Sequence, residues 1–102
     1  MNLYLLTQTE NTGYDTYDSC VVIANTEEEA KLIHPGSLIY YPVANQWFWR
    51  DSGYKEYLNE GYYSNDSWCK YPEQVTVTYL GEFKGNLEDY PSKIVCVSFN
   101  AG

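Results

Sequence analysis

The chain has 102 residues, of which 44% are hydrophobic and 18% are aromatic, and its formal net charge is −8. A chain of this length can form one domain with a modest core, and its hydrophobic content argues against intrinsic disorder. Nucleic-acid-binding proteins contact phosphates with Lys and Arg, so six such residues against fourteen Asp and Glu argue against direct nucleic-acid binding. The same balance favours a partner with a basic surface.

The cysteines and the hydrophobic pattern indicate the cellular compartment. Cys20, Cys69 and Cys96 are widely spaced and odd in number, unlike the cysteines of a secreted disulfide framework. No apolar run approaches the roughly 20 residues of a membrane span, and the first residues do not form a signal peptide. We therefore expect a protein of the reducing cytosol. Cys20 and Cys96 lie in apolar stretches and are predicted to be buried, whereas Cys69, beside Lys70, is predicted to be the exposed thiol.

The first predicted elements are two strands joined by a long polar loop. The stretches Leu3–Thr7 and Cys20–Ala24 are apolar on both faces, which is typical of central strands. The loop between them contains a Thr12-Gly13 turn signal.

A short helix is predicted after the second strand, over Thr26–Ile33. Asn25 or Thr26 can cap the helix, Thr26 and Glu29 have the spacing of a capping box, and Pro35 with Gly36 ends the helix. Ala30 and Ile33, with Leu32 beside them, are expected to form its buried stripe.

The segment from residue 37 to residue 70 is predicted to be an aromatic-rich insertion, either a lid packed on the sheet or a surface that binds a partner. It contains an apolar stretch at Leu38–Tyr41 that could form a strand, and a second at Trp47–Trp49. Tyr54, Tyr57 and Leu58 have helical spacing.

Two further strands are predicted near the end of the chain, over Val75–Leu80 and Ile94–Phe99. Together with the elements before them they predict a single α+β domain over residues 1–102. We expect a small antiparallel sheet of four or five strands, with one short helix packed on a face.

Candidate binding residues form two groups. In the first loop, the acids and aromatic rings could hold a hard cation or a planar ligand, although Asp, Asn and Ser also build ordinary turns. The aromatic insertion supplies the second group. The candidates are Tyr14, Asp15, Tyr17 and Asp18 in the loop, and Trp47, Trp49, Arg50, Tyr54 and Tyr57 in the insertion. We expect no bound metal and no cofactor.

Catalytic motifs are missing from the sequence. His34 is the only histidine, so a Cys-His or Ser-His pair would have to include it, and no residue next to Cys69 in sequence supplies a base. The chain has no phosphate-binding glycine loop, no H-E-x-x-H and no G-x-S-x-G. We expect a protein that is not an enzyme.

Three stretches carry a family resemblance: Leu5–Gln8 leading into Gly13–Ser19, Glu27–Pro35 with its Ile33-His34-Pro35 ending, and the terminal Val97–Gly102. Together they resemble a family of small, largely uncharacterised proteins encoded by bacteriophages and prophages. The resemblance implies an accessory protein that acts in the bacterial host cytoplasm. By analogy, such small acidic proteins counter host defence.

Three functions follow from these observations. The first is a non-enzymatic accessory protein that binds and inhibits a host protein with a basic surface, as an anti-CRISPR-like or other anti-defence inhibitor. The second is a small-molecule binder that sequesters a nucleotide immune signal by stacking its bases on Tyr14, Tyr17 and the Trp47–Trp49 cluster. The third is a small enzyme centred on Asp15, Asp18 and His34. A homodimer is possible in each case, through an edge strand or through the aromatic insertion.

Overall fold

A computed structural model describes residues 1–43, 45–48 and 67–100 of the chain. The candidates Trp49, Arg50, Tyr54 and Tyr57 lie outside the described residues. Within them the structure has six strands, one α-helix and two short 3-10 helices. In chain order these are β1 (Asn2–Thr7), β2 (Thr16–Ala24), α1 (Glu27–Lys31), β3 (Ile39–Tyr41), β4 (Gln46–Phe48), a 3-10 helix (Pro72–Gln74), β5 (Thr76–Glu82), a 3-10 helix (Leu87–Asp89) and β6 (Ile94–Asn100).

The main sheet has four strands in the order β5-β1-β2-β6, and each neighbouring pair is antiparallel. β3 and β4 form a separate antiparallel hairpin. The prediction of an α+β fold, built on a small antiparallel sheet with one short helix, is therefore confirmed. The hairpin lies within the predicted insertion, where the apolar stretches had indicated a strand.

One face of the sheet carries the hydrophobic core. Tyr4 and Leu6 of β1 lie opposite Val22 and Cys20 of β2, and paired residues point to the same face. All four are buried and pack in one cluster with residues from α1, the hairpin and the segment before β5. The other buried members of this cluster are Ala24, Ala30, Leu38, Trp47, Trp68, Cys69 and Val75.

The opposite face of the sheet is also apolar at its centre. Leu3 lies opposite Ile23, and Leu5 lies opposite Val21. Ile23 is fully buried, whereas the other three are half-buried. Both faces of β1 and β2 are apolar, which explains why these strands lack the alternation of apolar and polar residues that a strand with one solvent-exposed face shows.

The chain between β5 and β6 crosses the sheet from one edge to the other. At its start, the Phe83 amide donates to the Met1 carbonyl at 2.8 Å. At its end, the Lys93 carbonyl accepts from the Ile23 amide at 2.8 Å. This connection therefore follows the ends of β1 and β2.

Helix α1 begins as predicted and ends earlier. The Thr26 side chain accepts from the Glu29 amide at 3.1 Å, which confirms Thr26 as the N-cap. The Glu29 carboxylate in turn accepts from the Asn25 amide at 3.0 Å, one residue before the position that a capping box would use. Leu32 was wrongly assigned to the buried stripe. It caps the shortened helix and is half exposed, because the chain leaves the helical path before Ile33.

No helix among the described residues is long and apolar enough to cross a membrane.

Candidate functional site

The loop between β1 and β2 is organised by one buried glutamine that the sequence did not single out. Gln8 is only 4% exposed. Its side-chain oxygen accepts from the amides of Glu10 and Asn11, at 3.0 and 2.8 Å. Its side-chain nitrogen donates to the carbonyls of Asn11 and Tyr17, at 2.7 and 2.8 Å. All four hydrogen-bonding positions of the amide are therefore used to fix the shape of the loop.

The loop is also tied to the segment before β5. The Asn11 side chain donates to the Trp68 carbonyl at 3.1 Å. The Tyr17 amide donates to the Ser67 carbonyl at 2.8 Å. Because Trp68 is buried in the core, these bonds anchor the loop to the body of the domain.

The tip of the loop is held against the end of β6. The Asp15 amide donates to the Asn100 carbonyl at 2.6 Å. The Asn100 side chain and the Thr16 hydroxyl both donate to the Gly13 carbonyl, the latter at 2.9 Å. Gly13 and Asp15 have φ values of 130° and 60°, so the turn uses the left-handed backbone that Gly and Asp tolerate. The predicted Thr12-Gly13 turn signal thus lies at this tip.

Three of the four candidate loop residues point into solvent. Tyr14 is 80% exposed, and Asp15 and Asp18 are also exposed. Asp18 is the extra residue of β2 where the register with β6 shifts, and its carboxylate accepts from the Ser19 hydroxyl at 3.1 Å. We call Tyr14, Asp15 and Asp18 the loop surface.

Tyr17 faces the domain instead. It is half-buried, packs against the core, and its ring lies 4.8 Å from that of Phe99, edge to face. Thr16 and Tyr17 belong to β2, which begins four residues before the predicted start at Cys20 because it pairs with the end of β6. Tyr17 therefore contributes to packing at the base of the loop.

Trp47 lies in the core and not on the surface, where a binding residue would be expected. It was proposed as a ring on which a ligand or partner could stack, but its side chain is fully buried. Its ring centroid lies 5.1 Å from that of His34 and 5.4 Å from that of Tyr40. Hairpin pairing between β3 and β4 turns it into the core, so no surface of Trp47 is available to a partner in this structure.

His34 is part of the same buried aromatic group. It is 1% exposed, and its ring lies between those of Trp47 and Trp68, with the Trp68 centroid 6.2 Å away. Its Nδ1 accepts from the Gly36 amide at 2.8 Å, which places the proton of a neutral ring on Nε2. His34 is thus enclosed in the core, whereas Asp15 and Asp18 lie on the exposed loop surface.

A small cleft lies beside His34, with a volume of about 140 Å³. Ligand sites for drug-sized molecules are typically about 300–1,000 Å³, so this cleft is too small for a nucleotide. Among the described residues, no three His, Cys, Asp or Glu side chains are grouped so that they could hold a metal ion.

The cysteine assignments were wrong for two of the three residues. Cys69 is buried in the core and its thiol contacts the Tyr71 carbonyl at 3.5 Å, whereas Cys96 is exposed. Cys20 is buried, as predicted. Cys96 belongs to a strand at the edge of the sheet, which its apolar neighbours do not reveal.

Thiol reactivity provides a direct check of this arrangement. Burial raises the pKa of Cys20 and of Cys69 to about 12, so neither is a thiolate near neutral pH. We expect an aromatic disulfide reagent at pH 8 to modify Cys96 rapidly in the folded protein, and all three thiols only after unfolding in denaturant. Rapid modification of Cys69 in the folded protein, identified by peptide mass mapping, would contradict its burial.

Comparison of the chain with protein-family models, curated protein sequences and solved structures finds no match. The function is therefore argued from the loop surface itself.

Proposed function

We propose that this protein is a non-enzymatic accessory protein that binds and inhibits a host protein through the loop surface. The observation that carries the proposal is the exposure of Tyr14 (80%), Asp15 and Asp18 within five residues of the chain, next to a loop whose backbone is fixed by Gln8 and the end of β6. Tyrosine contributes a large contact area with few rotatable bonds and is enriched at interfaces. Since the loop is fixed in advance, binding does not have to order it.

The charge distribution supports a basic partner. All the acidic side chains among the described residues are exposed, and the chain has a formal net charge of −8. Opposite charge on a partner would increase the association rate and help to fix the orientation of the complex. A host protein that binds nucleic acid has such a surface, and the resemblance to phage-encoded proteins supports a defence protein of the bacterial cytoplasm.

The sequestering of a nucleotide signal is the weaker alternative. Base stacking was assigned to Tyr14, Tyr17 and the Trp47–Trp49 cluster. Of these, Trp47 is buried and Tyr17 packs against Phe99. Tyr14 remains as an exposed ring.

The loop surface is tested by replacing its three residues together. The variant Tyr14→Ala, Asp15→Asn, Asp18→Asn removes the exposed ring and two charges without altering the buried frame of the loop. A host protein captured from bacterial lysate by the immobilised wild-type chain should bind this variant at least about thirtyfold more weakly, which is the usual effect at a central interface residue. Binding should also weaken as the salt concentration rises.

A matched control changes the same kinds of group elsewhere. Leu32→Ala, Glu27→Gln, Glu28→Gln removes an exposed apolar side chain and two carboxylates from α1, and it leaves the capping residue Glu29 intact. This control should retain full binding. Equal loss of binding in both variants, or no protein captured by the wild-type chain at low or moderate salt, would refute a partner-binding role for the loop surface.

A further inference from the structure

The outer edge of β6 is an open strand edge whose register irregularity, at Val95, lies near its start. β6 runs Ile94–Asn100 and contains no charged residue and no proline, and its residues from Cys96 onward are exposed. Among the described strands only β2 pairs with it. Natural edge strands normally carry a charge, a proline or a bulge that prevents pairing with another chain.

The other edge of the sheet has this protection. β5 ends in Gly81-Glu82, and its register with β1 shifts between Leu3 and Tyr4. Gly81 has a φ of 147°, so the strand is irregular there. β6 also has an extra residue, Val95, near its start, where its register with β2 shifts between Val21 and Val22. From Cys96 to Asn100 the strand is continuous, since the extra residue near that end belongs to β2.

The hydrogen bond at the end of β6 shows which backbone groups point outward. The Asn100 carbonyl accepts from the Asp15 amide, so Asn100 faces β2. The backbone groups of a strand alternate in direction, so Ser98 and Cys96 also face β2. Val97 and Phe99 therefore present their N–H and C=O groups to the open edge.

We propose that β6 pairs with β6 of a second copy of this chain, antiparallel and centred on Val97. The outward N–H and C=O of Val97 would then bond with those of Val97 in the second copy. This register places Cys96 of each copy opposite Ser98 of the other, within the continuous part of β6, and Val95 interrupts the pairing towards the ends. Two four-stranded sheets would become one continuous sheet.

The charges at the two ends of β6 favour this orientation. Lys93 precedes the strand, and Asp15 is bonded to its last residue. Antiparallel pairing brings Lys93 of one copy to within about two strand spacings, roughly 10 Å, of Asp15 of the other. Parallel pairing would instead place the two Lys93 side chains at the same end. Since each chain has a net charge of −8, electrostatic repulsion between the two copies opposes the pairing.

The pairing is tested by the substitution Val97→Pro. If the Val97 N–H points outward, proline removes no hydrogen bond within the chain, and proline is tolerated on such an edge. Each copy would lose one intermolecular bond, so the dissociation constant measured by sedimentation should rise about 10- to 100-fold. Ser98→Ala, which leaves the backbone unchanged, is the matched control and should dimerise like the wild-type chain.

Disulfide cross-linking tests the register without relying on the fold of the proline variant. In a Cys96→Ser background, in which the remaining Cys20 and Cys69 are buried, Val97→Cys should cross-link most efficiently on oxidation, since directly opposed residues lie within disulfide reach. In the wild-type chain, Cys96 would lie diagonally across the two-fold axis at the Val97 pair, roughly 7–8 Å from Cys96 of the second copy, and should cross-link poorly.

Three results would overturn the proposal: a monomer at every concentration up to near millimolar, strongest cross-linking at position 95, 96 or 99, or a folded Val97→Pro variant that dimerises normally. None of these variants alters the loop surface, so this pairing and the proposed function can fail separately.

Discussion

Replacing Trp47 with alanine is expected to lower the free energy of unfolding by about 3–5 kcal/mol, the usual range for a large aromatic side chain removed from a core. Trp47 has no exposed surface and packs edge to face against His34 and Tyr40. Small domains have a total stability of only about 5–15 kcal/mol, so the variant should be marginally folded. Urea unfolding followed by circular dichroism measures the loss.

Two further variants test whether the loss of stability comes from packing in the core and not from the removal of any aromatic ring. Trp47→Phe keeps an aromatic ring, and the indole Nε1–H that it removes has no hydrogen-bond partner in the described structure. This variant should therefore be considerably more stable than Trp47→Ala. Tyr14→Ala removes an aromatic ring that is 80% exposed and should change the free energy of unfolding by no more than about 0.5 kcal/mol.

These values would also decide what Trp47 does. If Trp47→Ala loses less than about 1 kcal/mol, Trp47 is not a core residue, and its original assignment to a partner-binding surface becomes tenable again. A large loss would show that at least one aromatic side chain of the insertion serves the core.

The backbone elements were predictable because each has a local signal. β-branched and apolar runs indicated β1, β2 and β6, and the Thr26 cap with its following glutamates indicated α1. The long loop was visible from its polar composition. Each of these signals lies within a few residues of the element that it predicts.

The environment of individual side chains was less predictable, because it depends on the order of strands in the sheet. Cys20 and Cys96 lie in similar apolar stretches, yet one is in a central strand and the other in an edge strand. Cys69 lies beside the charged Lys70 in sequence, but it is buried in the core together with Trp68. Local sequence does not encode these differences.

The same limit applies to Gln8, whose role local sequence does not reveal. A glutamine at the end of an apolar strand resembles an ordinary first residue of a loop. Its importance comes from bonds to Asn11 and Tyr17 that exist only once the loop has closed. A polar residue directly after a central strand, at the start of a long polar loop, is the signal that could have indicated it.

Replacing Gln8 with alanine is expected to lower the free energy of unfolding by about 2–4 kcal/mol. Gln8 makes four side-chain hydrogen bonds, and each is worth roughly 0.5–1.5 kcal/mol, although water can replace part of them if the loop opens. Gln74 is a matched control, because its side-chain oxygen accepts one bond, from the Tyr71 amide at 3.1 Å. Gln74→Ala should lose about 1 kcal/mol or less.

Amide hydrogen exchange would show whether the loss arises in the loop. The amides of Glu10 and Asn11 donate to the Gln8 side chain, so both should exchange faster in Gln8→Ala by a larger factor than amides in the centre of β1. Unchanged exchange at these two amides would contradict the role of Gln8 as the organiser of the loop.

The same variant connects the frame of the loop to the proposed function. Gln8 lies beneath the loop surface and is itself only 4% exposed, so it does not contribute contact area to a partner. If a fixed loop presents Tyr14, Gln8→Ala should weaken partner binding at temperatures where the domain is still folded, because the partner must then order the loop. Full binding by a folded Gln8→Ala variant would mean that Tyr14 acts without a fixed loop, or that the partner binds elsewhere.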